Sequence, residues 1–354
     1  MNVPFYYHPR MLAYDFGANH PLKPERLRRT IELLGRLGWP APADPGPGST
    51  EDVLRVHSPD YVKAVRALGQ GGHPTGSSDY GFGSLDNPVF AMMHEAALAY
   101  VSGTAAAARD VAGGAPLAIN LSGGLHHAQR SRASGFCVYN DPAIAISILR
   151  ESSDRVAYID IDVHAGDGVQ ALTFHDPSVL TCSIHQDPRT IYPGTGFVEE
   201  IGAEGTAVNV PLPPGTTGDI WLRGIREGVL PYVDAFQPGA VVLQMGTDAH
   251  FTDPLARFQV TASEWIAAIG DVASMGIPVV AVGGGGYSLS AVPRMWAATC
   301  FTLAGLKVPD IPSDLQGAWD LPNFFDDPIP EPRGVGEQTL DVVLATRRAL
   351  QAVI

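Results

Sequence analysis

Six apolar runs rich in β-branched residues punctuate the chain: Leu117 to Leu121, Val156 to Val163, Val179 to Ile184, Val208 to Leu212, Val241 to Met245 and Ile277 to Val282. Most lack a clean apolar/polar alternation, which predicts strands buried on both faces of a parallel sheet. Between them, apolar positions recur at helical spacing: Leu27, Ile31 and Leu34 after Pro24, then Ala91 to Val111, Ala143 to Leu149, Asp219 to Phe236, Ala262 to Ser274 and Val292 to Leu303. Strand and helix alternate, so the predicted class is α/β with an open, mostly parallel, doubly wound sheet flanked by helices. Ligands of such sheets collect beyond the carboxyl ends of the strands, so the residues just after each run are the place to look for chemistry.

No repeat or linker divides the chain. Gly69 to Gly83, and the stretch holding Pro40, Pro42, Pro45 and Pro47, are expected to be surface loops inside one domain. That domain is expected over residues 1–307. Residues 308–354, with a Pro-rich stretch from Pro309 to Pro332 and a short amphipathic pattern from Leu340 to Val353, are expected to pack on it as a C-terminal segment.

Composition narrows the function classes. The 354 residues carry 37 acidic against 23 basic side chains, a net charge of −14, which disfavours a surface that tracks phosphates. No apolar run approaches the roughly 18 residues that cross a bilayer. The first residues show neither the basic nor the apolar region of a secretory signal. Cys137, Cys182 and Cys300 are too few and too far apart for a disulfide framework or a metal knuckle. A cytoplasmic protein with reduced thiols is expected, without nucleic-acid or membrane partners and with its oligomeric state open.

The chemistry sits where the runs end. In Val156 to His164, a period of two puts Asp160, Asp162 and His164 on one side of the chain. Carboxylates with an imidazole suit Zn(II) or another first-row divalent ion, whose charge offsets the cost of burying them; helix capping by the aspartates is the alternative. Asp248, after Val241 to Met245, is either a third ligand at the same sheet edge or a helix cap. After Leu121 come Gly123, Gly124, His126 and His127, a histidine pair that suits ligands, a general base and acid, or core packing. The last run exits through Gly283 to Gly286 into Tyr287, either a glycine loop that delivers a phenol as oxyanion donor or a plain turn. No dinucleotide or mononucleotide phosphate loop is formed here, and no serine nucleophile elbow competes. Together these ends meet the requirements of metal-assisted hydrolysis of a carbonyl compound.

Several longer motifs resemble the zinc-dependent histone deacetylase family, and in particular its bacterial acetoin-utilisation branch. They run from about Tyr7 to Leu306: His20-Pro21-Leu22-Lys23-Pro24-Glu25-Arg26, Asp86 to Phe90, Gly123 to Ala128, Ser134 to Asp141, Asp160 to Gly168, Tyr192 to Gly196 and Gly283 to Tyr287. The resemblance implies an arginase/deacetylase fold with a metal at the bottom of a narrow tunnel, and hydrolysis of an N-acetyl amide, acetyl-lysine of proteins above all, to amine and acetate. Asp162, His164 and Asp248 would bind Zn(II), with Fe(II) as the other ion admitted. His127 would be the general base and acid, oriented by Asp167; His126 would be an electrostatic partner held by Asp160. Tyr287 would donate to the substrate carbonyl and to the oxyanion it becomes.

By the same resemblance Gly135, Phe136, Tyr192 and Leu255 would line the tunnel, Asp86 would grip substrate backbone at the rim, Gly285 would flank the acyl group, and Arg26 would lie near an acetate exit. A potassium ion would sit near the backbone of Asp160, Asp162 and His164 and the side chain of Ser183. Two positions depart from many relatives: Ala165 replaces a second histidine after the ligand histidine, and Tyr192 replaces a phenylalanine. Two other readings stay in view. A dinuclear manganese hydrolase would need further carboxylate ligands at two strand ends, and a non-catalytic acyl-lysine binder would lack the base, a ligand or the phenol. The substrate is expected to be an acetylated protein or a small acetylated amine.

Overall fold

In the computed structural model, which describes residues 3–74, 78–321, 323–327, 329 and 333–351, the six apolar runs are six strands. They are β1 (Leu117–Asn120), β2 (Val156–Asp160), β3 (Val179–Gln186), β4 (Ala207–Leu212), β5 (Ala240–Gln244) and β6 (Val279–Val282). All pair in parallel, in the order β1-β6-β5-β2-β3-β4. Alternate residues enter two cores. Ala157, Ile159 and Leu243 pack on one face under α1 (Glu25–Arg36), α7 (Gly218–Gly228), α9 (Ala262–Ser274) and α10 (Ala291–Leu303). Tyr158, Val242 and Val280 pack on the other, under α3 (Pro59–Gly69), α4 (Met93–Ala112) and α5 (Asp141–Leu149). Burial on both sides explains why the runs read as nearly continuous apolar sequence. The doubly wound class expected from the alternation is the class observed.

The register lines up the polar strand ends. Asn120 pairs with Val282, Val282 with Gln244, Gln244 with Asp160, Asp160 with Ser183 and Ser183 with Asn209. From β2 the chain winds outward through β3 to β4, whereas from β5 it winds the opposite way to β6. The connections that leave β2 and β5 therefore diverge, and a crevice opens between them.

Most predicted boundaries shift by one or two residues, and two elements differ by more. The run Val156 to Val163 predicts one strand, but β2 ends at Asp160. Asp160 Oδ1 accepts from the Asp162 N–H at 3.1 Å and Asp162 Oδ1 from the His164 N–H at 2.9 Å, so side-chain turns replace the ladder. Asp162 and His164 thus lie on a turn, not on a strand face. The helix expected over Asp219 to Phe236 is two, α7 and α8 (Leu230–Phe236), broken at Val229 because Pro231 can occupy only a first turn. The helix α3 and the short helices α2 (Thr50–Leu54), α6 (Asp167–Thr173) and α11 (Ser313–Ala318) have no counterpart among the helices that the pattern predicts.

In the C-terminal segment, α12 (Glu337–Gln351) contacts β4 and α7, and Asp314 pairs with Arg36 at 2.8 Å. Residues 322, 328 and 330–332 of the Pro-rich stretch, residues 75–77 of the glycine-rich loop and Val353 lie outside the described residues. All three cysteines are buried and free. No described helix is long and apolar enough to cross a membrane.

Candidate active site

The turn after β2 and the loop after β5 meet in the crevice. Asp162, His164 and Asp248 are buried, and one ligand atom from each lies within 4.8 Å of the others. His164 Nδ1 is 3.0 Å from both Asp162 Oδ1 and Asp248 Oδ2. The remaining carboxylate oxygens are held from behind: Asp162 Oδ2 accepts from Gly285 N–H (2.8 Å) and Gln244 Nε2 (2.9 Å), and Asp248 Oδ1 accepts from Val163 N–H (2.9 Å). Two buried carboxylates around one imidazole are a donor set for a divalent cation. Burial and the Asp162 charge push Asp248 up to about 7. Against the pull of burial, both carboxylates raise His164 to about 10. Gly285 is the residue that lets the last loop close here, since a Cβ would come within 2.7 Å of Asp162 Oδ2.

Beside this cluster stand His126 and His127. Each donates from Nδ1 to its own carboxylate, His126 to Asp160 at 2.7 Å and His127 to Asp167 at 2.6 Å, and the two Nε2 atoms face each other at 3.0 Å. Asp160 also accepts from Tyr158 OH, and Asp167 from Gln129 Nε2. One proton at most can occupy the gap between the Nε2 atoms, so the rings cannot be alike. Although burial opposes it, the charges of Asp160 and Asp162 raise His126 to about 9. Burial and the neighbouring His126 cation lower His127 to about 4. At neutral pH His126 is the charged member and His127 the neutral one.

Above the pair a cavity of about 270 Å³ opens to solvent past Asp86, Phe136, Ile191, Tyr192, Leu255 and Tyr287. A smaller pocket of about 20 Å³ continues inward along Leu22, Leu125 and Cys137. Gly135 (φ +49°) allows the wall to approach the base: a Cβ there would meet His127 Cγ at 2.8 Å. Phe136 is itself left-handed (φ +68°), a conformation uncommon for an aromatic residue, and its ring stands edge-on to Tyr287 at 5.8 Å. Tyr192 sets its ring across His127 at 5.0 Å and joins its hydroxyl to that of Ser134. Burial raises the Tyr287 phenol well above its ordinary range, so it stays a proton donor.

Every residue singled out from the sequence is near this crevice. Asp86 is exposed at the mouth, where its carbonyl accepts from His20 at 3.3 Å. Arg26 is buried behind the glycine run, donating to the carbonyls of Gly284 (2.7 Å) and Gly286 (3.0 Å) and lying over Trp296. Ser183 is next to Asp160 across the ladder, and its hydroxyl bonds to His185 Nδ1 at 2.8 Å. Ala165 is buried, in the space a Cβ on Gly196 would invade.

Other supporting residues do not stand out in the sequence. Asp141 accepts from Gly124 N–H and Leu125 N–H at 2.9 Å, and so fixes the loop that carries the histidines. Gln244 reaches from the end of β5 to Asp162, and Asp253 accepts from the Tyr287 N–H. The only visible signal is a polar residue at the end of an apolar run in the case of Gln244, and an Asn-Asp pair ahead of a helix in that of Asp141.

Comparison with known proteins gives the same picture over nearly the whole chain. Residues 20–303 match the histone deacetylase domain. The acetoin utilization protein AcuC of Bacillus subtilis is 37% identical, over 99% of this chain and 97% of its own. Human histone deacetylase 1 is 34% identical over 87% of this chain and 66% of its own. The crystal structure of a histone deacetylase homologue from Aquifex aeolicus superposes with a TM-score of 0.90 at 28% identity, covering 98% of this chain and all of that one. The chain belongs to the histone deacetylase family, hydrolases of acetylated substrates, in its bacterial AcuC-type branch.

Proposed function

We propose that the protein hydrolyses the acetamide of acetyl-lysine with a divalent metal held by Asp162, His164 and Asp248. The observation that carries this reading is the convergence, at the foot of one aromatic-walled tunnel, of a three-ligand cluster, an asymmetric histidine pair and a phenol. Bound there, Zn(II) would supply Lewis acidity to a carbonyl and make a water acidic near about pH 7; Fe(II) suits the same donors. Among the described residues there is one such cluster, which favours a single metal over a dinuclear centre.

His127, neutral at physiological pH, accepts the proton of the attacking water through Nε2 and returns it to the leaving amine, while Asp167 keeps its Nδ1 protonated. His126, held by Asp160, keeps a positive charge beside the developing negative one. Tyr287 donates to the carbonyl oxygen from the opposite side. The walls at Gly135, Phe136, Tyr192 and Leu255 exclude water from a methylene stem and leave the polar acetamide at its tip, while Asp86 accepts from substrate backbone at the rim. Gly285 flanks the acyl group, and Arg26, behind the glycine run, lies near the exit of the acetate. A potassium ion on the backbone of Asp160, Asp162 and His164 and on the Ser183 hydroxyl would brace the same turn. We place the catalytic unit in residues 1–307, carrying residues 308–354 packed upon it, and the protein in the cytoplasm, where its three buried thiols stay reduced.

Metal analysis joined to acetate-release assays on an acetyl-lysine peptide and an acetylated polyamine tests the proposal. One metal per chain, with peptide turnover abolished by chelation and restored by adding the metal back, is expected. Two metals per chain would favour the dinuclear reading, and peptide binding without turnover a binding module.

A further inference from the structure

Tyr287 rides on a stretch of backbone with little stiffness of its own. It comes directly after Gly283 to Gly286, and Gly284 and Gly286 have φ of +143° and +120°, which side-chain-bearing residues rarely adopt. Glycine brings freedom as well as reach, so contacts from outside the run must fix the peptide that carries the phenol. Arg26 holds two carbonyls of the run but does not touch Tyr287 N–H. No hydrogen bond ties the phenol hydroxyl to another described residue, and the one aromatic ring set against it among the described residues is Phe136, edge-on.

The Tyr287 N–H donates instead to Asp253 Oδ2 at 2.7 Å, while Asp253 Oδ1 accepts from the Leu255 N–H at 2.9 Å. Asp253 is 6% exposed. Both its oxygens are used, in charge-assisted bonds of the stronger kind. Pro254 restricts Asp253 to extended backbone, and the Asp253 N–H donates to the His250 carbonyl at 2.8 Å, so the carboxylate is itself held in place. Three further ties join the same two loops, the Met245 N–H donating to the Gly283 carbonyl at 2.8 Å, the Thr247 N–H to the Gly285 carbonyl at 3.0 Å and Thr252 Oγ1 to Ser288 Oγ at 3.3 Å, but among the described residues only Asp253 bonds the peptide of Tyr287 itself.

We propose that Asp253 is a positioning residue for the hydrolysis. One carboxylate clamps the loop after β5 to the glycine run after β6, and thereby sets both the aim of the Tyr287 phenol and the tunnel wall at Leu255. The inference rests on the proposed role of Tyr287 as oxyanion donor. It requires that Asp253 influence turnover through Tyr287 and not independently. Asp253→Asn keeps the shape but turns one accepting oxygen into an NH₂ that faces an N–H, so one of the two anchors is lost.

The experiment is a double-mutant cycle on the metal-loaded enzyme: kcat and KM for an acetyl-lysine peptide in the parent, Asp253→Asn, Tyr287→Phe and the double variant, with metal content measured on each. Tyr287→Phe is expected to lower kcat by about 10²- to 10³-fold at nearly constant KM. Asp253→Asn is expected to lower kcat by about 10- to 100-fold, with KM within about threefold and metal content unchanged. In the Tyr287→Phe background the same change should cost less than about twofold. Equal losses in both backgrounds, a parental kcat in Asp253→Asn, or loss of metal from that variant overturns the inference and leaves the deacetylase reading standing. A parental kcat in Tyr287→Phe overturns the role of the phenol, and the inference with it. Should Asp253→Asn not fold, Asp253→Ser goes through the same cycle and is held to the same outcomes.

Discussion

Two regions of this molecule bury histidines among aromatic rings, and they behave in opposite ways. Under α3 and α5, His57 is 1% exposed, accepts from the Asn140 N–H at 2.9 Å, faces the Arg130 carbonyl and packs on Tyr61 and Tyr139. Burial lowers it to about 4, and no carboxylate answers. At the crevice, His126 is as deeply buried, yet Asp160 and Asp162 raise it to about 9. His127 has one carboxylate and a cationic neighbour, and stays near 4. Burial alone makes a neutral histidine, a shaped piece of core with a donor and an acceptor. Carboxylates in excess of their counter-charges turn the same side chain into a carrier of charge.

The hardest test of that contrast is to remove a carboxylate of the metal site. Asp248→Ala should abolish deacetylation and leave the chain with background metal by elemental analysis; a fully metallated, active variant would remove the cluster from the mechanism. Next in size is the histidine pair. His127→Ala should lose kcat by about 10²- to 10⁴-fold, and His126→Ala distinctly less, because only the neutral ring accepts a proton. Equal, small losses would move the base elsewhere.

Asp160→Asn sharpens the comparison, since it makes the surroundings of His126 more like those of His57. Without that negative charge the imidazolium is less stable, so the alkaline fall of kcat/KM, expected near pH 9, should move to lower pH. A fixed alkaline limb would mean that another group sets it. The smallest effect lies on the other side of the sheet. Because folded His57 titrates near 4, below its ordinary 6.5, the unfolded chain takes up its proton first as pH falls. Stability is then intact above about 6.5 and erodes by about 1 kcal/mol per pH unit down to about 4 from this group. His57→Gln, which keeps an acceptor for Asn140, should flatten that part of a urea-unfolding series while leaving kcat unchanged.

Much of this is legible along the chain. The six strands arise from runs of Val, Ile and Leu, because a strand covered on both faces has no polar side to show. The Asp160, Asp162 and His164 constellation is local, and the turn that presents it is made by those very side chains. What stays hidden is support. Asp141, Gln244 and Asp253 act through hydrogen bonds to loops distant in sequence, and an isolated polar residue announces no such partner.

The sequence by itself thus determined the elements and the chemistry available at their ends, since helix and strand periodicity and side-chain type are properties of neighbours along the chain. Tertiary structure decided which ends meet. Asp248 stands 3.0 Å from His164 although 84 residues separate them, because β5 pairs with β2 in a register that sets Gln244 beside Asp160. Tyr287 reaches the same point from β6, next in the sheet, and is held there by a carboxylate from the loop after β5. Strand order and register are chosen by the packing of two whole cores against one sheet, a sum over contacts between distant segments that no window of sequence contains.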